Sequence, residues 1–187
     1  MDFSVKPTLY GERVMLRPLQ AQDVAPLAIA LQDPEVLKLT GSEHGEGVPA
    51  EPRDPAHDSE FLRWRMARTD RLDLAVVDRE SGECVGEVVL NQWDEDNQSC
   101  NFRTFIGPSG RGRGLGTEAT KLIVGYGFEN LGLHRISLEV YAFNPRARRV
   151  YEKVGFVVEG VLRDALRYAD GWVDATVMSI LATEWNG

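Results

Sequence analysis

Arg111-Gly112-Arg113-Gly114-Leu115-Gly116-Thr117-Glu118-Ala119 is the stretch on which the reading of this chain turns. It follows a strand-like run and opens a helical pattern, so it lies at a strand-to-helix junction. A helix start exposes N–H groups without partners in the helix, together with the positive end of the macrodipole. Glycines there let the backbone approach an anion with no Cβ in the way. The segment is built like a pyrophosphate cradle. It lacks the Gly-Lys-Ser/Thr ending of a Walker loop, and it is not a strict Gly-x-Gly-x-x-Gly fingerprint. Taken alone, a plain glycine-rich turn explains it equally well.

Working outward, residues 72–77, 84–90 and 99–106 read as strands joined by turn-like segments at Ser81-Gly82 and 94–98, an antiparallel meander. A first strand covers 14–18 and is stopped by Pro18. Helical spacing follows at 23–31, with Val24, Leu27, Ala28 and Leu31, and again at 34–39. Residues 40–55, rich in Gly, Pro and acids, read as a long exposed loop, and 56–68 as a helix with Phe61, Leu62 and Met66 on one side. After the glycine stretch the order becomes helix, strand, helix, strand. The spacing predicts a helix over 115–131, a strand over 135–141 and a helix over 146–154 with Ala147, Val150, Tyr151 and Val154 on one face. Strands at 156–162 and 172–181 close the chain. No repeat, low-complexity tract or linker divides it, so 1–187 reads as a single α/β domain on a mixed sheet.

The 187 residues are 43% hydrophobic and 27% charged, ordinary for a soluble domain. The net charge of −8 argues against nucleic-acid binding, which needs a basic surface. No apolar run approaches the ~20 residues of a bilayer span. The start, Met1-Asp2-Phe3-Ser4-Val5-Lys6, lacks a signal-peptide pattern, so a cytoplasmic protein without membrane partners is expected. Cys84 and Cys100 make neither a disulfide framework nor a metal site and read as packed thiols; no metal is expected. Basic residues cluster twice, as Arg103, Arg111 and Arg113 and as Arg146, Arg148, Arg149 and Lys153. Such clusters in an acidic chain suggest a small polyanionic ligand at one place.

Two further segments complete the pattern. The glycine stretch fits Arg/Gln-x-x-Gly-x-Gly/Ala, and downstream comes Asn144-Pro145-Arg146-Ala147-Arg148-Arg149-Val150-Tyr151-Glu152-Lys153-Val154-Gly155-Phe156. With Glu159-Gly160-Val161-Leu162-Arg163, Asp170-Gly171-Trp172-Val173-Asp174 and the opening Gly11-Glu12-Arg13-Val14-Met15-Leu16-Arg17-Pro18, the chain resembles the GNAT N-acetyltransferases, RimJ/RimL-type branch. The resemblance implies a GNAT fold, a mixed central sheet of about seven strands flanked by helices, whose fourth and fifth strands, 99–106 and 135–141 here, splay apart. It implies acetyl-CoA as co-substrate. The backbone of Phe105 and Ile106 would pair with the pantetheine arm. The N–H groups of Arg111, Gly112, Arg113, Gly114, Leu115 and Gly116, with Thr117, would hold the pyrophosphate. Asn144 would bond the arm. Charge alone suggests Arg146, Arg148 or Arg149 for the 3′-phosphate.

The resemblance also implies direct attack by an amine in a ternary complex. Tyr151 is the expected general acid, in the family's Tyr-Glu-Lys-x-Gly-Phe run, with a packing role as the alternative. Ala147 stands where some RimJ/RimL-type proteins carry serine. The base is less defined: the strand 99–106 holds no carboxylate, and Glu87 and Glu139, each within a strand, are the candidates, acting through water. An α-amine, with a reference pKa of ~7.7–8.0 against ~10.4 for lysine, needs less help from a base. Acidic residues Glu43, Glu46, Glu51 and Asp54 in the 40–55 loop favour a cationic acceptor. His134 reads as structural, and Trp93, Trp172 and Trp185 as packing residues. The acceptor, a protein or peptide N-terminus or a small amine, stays open. So do another donor such as succinyl-CoA, a non-catalytic acyl-CoA-binding module, and a homodimer.

Overall fold

β-branched and aliphatic residues, buried on both faces through most of the central strands, build the first half of the sheet. The computed structural model describes residues 3–42, 60 and 64–187. A short β1 (Leu9–Tyr10) pairs with β2 (Val14–Pro18). Pro18, without an N–H to give the ladder, ends β2. Two helices follow, α1 (Val24–Leu31) and α2 (Pro34–Leu39). Asp33 caps α2, its carboxylate accepting from Val36 N at 3.0 Å. Pro34 fills the first turn, where a missing N–H does no harm. β3 (Leu72–Asp78) is buried at every position and lies inside the sheet. It continues through β4 (Cys84–Asp94) and β5 (Ser99–Ile106) as an antiparallel meander.

The second half alternates helix and strand: α3 (Leu115–Glu129), β6 (Arg135–Tyr141), α4 (Pro145–Val154), then the hairpin β7 (Val157–Tyr168) and β8 (Gly171–Leu181). The eight strands run β1-β2-β3-β4-β5-β6-β8-β7. Only β5 and β6 pair in parallel. A parallel pair requires a crossover, which α3 supplies. The larger core cluster joins one face of the sheet to α3 and α4 through Ala119, Ile123, Tyr151 and Val154. A smaller cluster joins the other face to α1 and α2 through Leu27, Ala30, Val36, Ala75, Val77 and Phe105.

The expected mixed sheet with helices on its faces is thus the fold, with β1 as an additional short edge strand. The closing hairpin is longer than its sequence suggests. Register shifts at Val158/Gly160 and Leu162/Leu166 let β7 stay paired with β8 past the polar Arg163-Asp164 step. There Asp164 takes a φ of 54° and its N–H donates to Asp174 Oδ1 at 2.9 Å. The loop expected at 40–55 lies outside the described residues from residue 43 onward, as do residues 56–59 and 61–63 of the expected helix; residues 64–66 are helical. Cys84 and Cys100 are free and buried, and burial pushes each thiol up to about 12. Among the described residues, no helix is long and apolar enough to cross a membrane.

Candidate active site

β5 and β6 are joined by a short ladder, Ser99 opposite Arg135, Cys100 opposite Ile136 and Asn101 opposite Ser137. From Phe102 on one strand and Leu138 on the other, no further rung forms, and the two edges diverge. The sheet is therefore split beside its middle, and among the described residues no strand fills the gap between the two lips. Unpaired backbone groups in a cleft are ready partners for an extended ligand. β5 reaches this lip by packing closely on β4: a Cβ at Gly86 would collide with the carbonyl of Phe105.

The glycine stretch leaves the open end of β5. Gly112 and Gly114 have φ values of 75° and 80°, which non-glycine residues rarely adopt. Gly114 is the N-cap of α3 and brings no side chain to the cap. Thr117 and Glu118 donate back to its carbonyl, at 3.1 and 3.2 Å. Among the described residues, the N–H groups from Gly112 to Gly116 donate to no backbone carbonyl. Nothing lies within 4 Å of the place where a Gly112 side chain would begin. This row of free donors at a helix start fits a diphosphate.

The arginines of the stretch turn elsewhere. Arg111 bonds Asp33 at 2.6 Å and Glu35 at 2.5 Å, and its Nε donates to the Ile106 carbonyl at 3.2 Å. Arg113 bonds Asp78 at 2.7 Å and Glu80 at 2.8 Å. Their side chains fasten the loop. The backbone N–H of Arg111, expected among the diphosphate donors, is instead taken up by the Pro108 carbonyl at 3.4 Å, whereas that of Arg113 is free among the described residues. Glu118 accepts from the N–H groups of Glu12 and Arg13, bracing the first turn of α3 against the β1–β2 turn. Arg146, in the first turn of α4, bonds the other oxygen of Glu35 at 2.9 Å. Arg148 pairs with Glu152 one turn on, whereas exposed Arg149 has no ion pair among the described residues.

Tyr151 stands at the apex of the split. Its ring meets Phe102, the first β5 residue past the last rung, edge-on with centroids 6.0 Å apart, and lies 5.9 Å from Phe156. The residue is 7% exposed, and its hydroxyl has no hydrogen-bond partner among the described residues. Burial pushes that hydroxyl up to about 12, so it keeps its proton at neutral pH. Asn144 caps α4, its Oδ1 accepting from Ala147 N at 3.1 Å. Its N–H donates to Tyr141 O at 2.8 Å, and its side-chain amine has no partner among the described residues.

The two carboxylate candidates part company. Glu139 alternates with Ile136, Leu138 and Val140, which face α3 and α4. It therefore points to the α1/α2 face, exposed and without a partner among the described residues, on the lip of the split. Glu87 lies opposite Ala75 and Phe105 on that same face, but one strand away from the split. It is bonded by Arg65 at 2.8 Å. Burial pushes its carboxyl up, against the lowering pull of Arg65. Arg65 also bonds Asp73, which Arg71 holds at 2.7 Å.

The split thus gathers Phe105, Ile106, the glycine loop, Thr117, Asn144, Tyr151 and Glu139, with Arg146 and Arg149 on the first turns of α4. It leaves Glu87 in a buried ionic cluster. Sequence reasoning missed the Asp33–Glu35 clamp on Arg111. The Asp33-Pro34 step, a helix-start signal, could have marked Asp33; nothing local marks Glu35.

Comparison with known proteins bears on this arrangement. Residues 13–157 match the family described as the acetyltransferase (GNAT) domain. The uncharacterized N-acetyltransferase p20 of Bacillus licheniformis is 28% identical over 180 residues, covering 96% of this chain and 99% of that protein. Spermidine N(1)-acetyltransferase of Escherichia coli (strain K12) is 40% identical over 93 residues, 50% of each protein. The crystal structure of spermidine N-acetyltransferase from Vibrio cholerae, in complex with CoA and spermine, shares the fold. Its TM-score is 0.82 at 24% identity, over 93% of this chain and 98% of that one. The family match spans both segments on which the reading of the sequence rested, and the chain belongs to the GNAT acetyltransferases.

Proposed function

We propose that this chain is a RimJ/RimL-type enzyme that moves an acetyl group from acetyl-CoA to the primary amine of a small cationic acceptor of the polyamine kind. The observation that carries the proposal is the split between β5 and β6, with free N–H donors at its open end and a protonated tyrosine at its apex. The 40% identity to a spermidine acetyltransferase supports the acceptor class over the half of the chain that it spans. Glu139, a carboxylate on the open lip without a partner among the described residues, suits a cation.

Acetyl-CoA supplies the activated acyl group. The N–H groups of Gly112 to Gly116, with Thr117, would hold its diphosphate. The lips at Phe105 and Ile106 would align its arm, and the Asn144 side-chain amine would donate to it. Arg149, without an ion pair among the described residues, is better disposed than Arg146 for the 3′-phosphate. Tyr151 would give its proton to the leaving sulfur. Glu139 would draw the proton from the amine through water, leaving Glu87 to hold Arg65. No cysteine is disposed to carry the acyl group, since burial keeps both thiols protonated.

A screen of thiol release from acetyl-CoA and from succinyl-CoA, over polyamines, amino acids and short peptides, tests this. Turnover is expected with acetyl-CoA and polyamines. Turnover confined to peptides would give the acceptor site to a protein N-terminus. Acetyl-CoA should also raise the Tm by mass action. Gly114→Asp should remove that shift by setting bulk and negative charge in the cradle; a folded variant that keeps it would defeat the assignment of the loop.

A further inference from the structure

An ammonium group already sits among aromatic rings beside the split. Lys38 lies in the last turn of α2 and is half-buried. Its Nζ stands 5.1 Å from the centroid of the Tyr168 ring and 5.8 Å from that of Phe143. Phe143 packs on Tyr141 with centroids 5.6 Å apart, and on Tyr168 at 5.7 Å. The rings come from the end of β6, the step from β6 to α4 and the end of β7. Gly41, just past α2, lets the backbone close on them, since a Cβ there would come within 2.7 Å of the Tyr141 ring.

The Lys38 ammonium has neither a carboxylate nor a hydrogen-bond partner among the described residues, and these rings hold it. The negative face of an aromatic ring attracts a cation, so the cluster selects positive charge. The attraction is modest beside that of a buried ion pair, so a cation held by rings is exchangeable. All three rings are half-buried, and solvent reaches them. Tyr141 follows Glu139 by two residues on β6, so both side chains stand on the α1/α2 face, about 6–7 Å apart along the strand. An acceptor whose reacting amine meets Glu139 therefore carries a second amine, a few methylenes away, to the rings.

We infer that Tyr141, Phe143 and Tyr168 form a subsite for the distal ammonium of the acceptor, and that Lys38 fills it until an acceptor displaces it. The inference rests on the polyamine-type acceptor proposed above and gives that site its selectivity. A diamine takes the rings from Lys38, whereas a monoamine leaves Lys38 in place.

Putrescine and butylamine, alike but for the second amine, test it by proton NMR and by kinetics. Ring currents should hold the ε-methylene signal of Lys38 upfield, and its absence from Lys38→Ala assigns it. Putrescine added to the complex with CoA should return the signal to the ordinary lysine position, and butylamine should not. Phe143→Leu should raise KM for putrescine relative to butylamine by about 3- to 30-fold. Lys38→Ala, which removes the competing cation, should lower KM for putrescine. The acetyl-CoA-dependent melting shift confirms that both variants fold. A signal that putrescine leaves in place, or a ratio of KM values that Phe143→Leu leaves unchanged, overturns the subsite, even where polyamines are acetylated. Putrescine that moves the signal but is never acetylated upholds the subsite and defeats the acceptor assignment.

Discussion

The two faces of the sheet treat polar groups in opposite ways. On the α3/α4 side the hydroxyl of Tyr151 sits among Phe102, Phe156 and the aliphatic core, and burial alone raises it. On the α1/α2 side buried charges are plentiful and mutually satisfied: Arg17 with Asp23 at 2.6 Å, and Arg65 with Asp73 and Glu87. One face offers a neutral proton donor in a dry setting. The other is an ionic scaffold on whose rim Glu139 alone, of the two candidate bases, is left unbound. The difference teaches that a polar residue within an element is not by that fact available; availability depends on what the opposite elements bring to it.

The comparison is broken first at Tyr151. Tyr151→Phe keeps the ring packing and removes the proton, and kcat should fall ~10²–10⁴-fold with acetyl-CoA affinity nearly unchanged. Steady-state rates with a competent amine, alongside calorimetric binding, measure both; wild-type turnover would reduce the tyrosine to packing. On the ionic face, Arg65→Met strands Glu87 and leaves Asp73 to Arg71 alone. Breaking a buried pair from one side typically removes about 3–5 kcal/mol, and urea unfolding should show a loss of that order. A loss no larger than that of an exposed arginine would mean that the cluster is solvated.

The smallest effect belongs to Glu159, where Arg135 and then Ser179 hold the carboxyl down at about 2, outweighing its slight burial. A depressed carboxylate stabilises the fold above its unfolded pKa, and that contribution is lost as pH falls through its folded value. The Tm gap between wild type and Glu159→Gln should therefore be full at neutral pH, shrink below the ordinary carboxylate range and vanish near pH 2. A gap that is constant with pH would refute the ion pair.

What the sequence disclosed divides along the same line. The glycine-rich helix start and the apolar stripe of α4 were legible because each is local: glycines before a helix, and i, i+3, i+4 spacing. Tyr151 was legible through that stripe together with the motif. The partners of the charged residues were not. Arg111 finds Glu35 across 76 positions, and Arg65 finds Glu87 across 22. Glu87 and Glu139 look alike in sequence, each an acid within an apolar strand, and only the arginine brought by the chain preceding β3 separates them. The extent of β7 was hidden for a different reason, since a bulge interrupts alternation without ending the strand.

Glu35 has a further consequence. One of its oxygens holds Arg111, which follows β5, and the other holds Arg146, which follows β6. The carboxylate thus spans the mouth of the split as a strap between its lips. Glu35 is 46% exposed and Arg146 53%, so dissolved ions screen the strap far more readily than they screen the buried cluster beneath it. The tie between the two lips therefore weakens as the ionic strength of the surrounding solution rises.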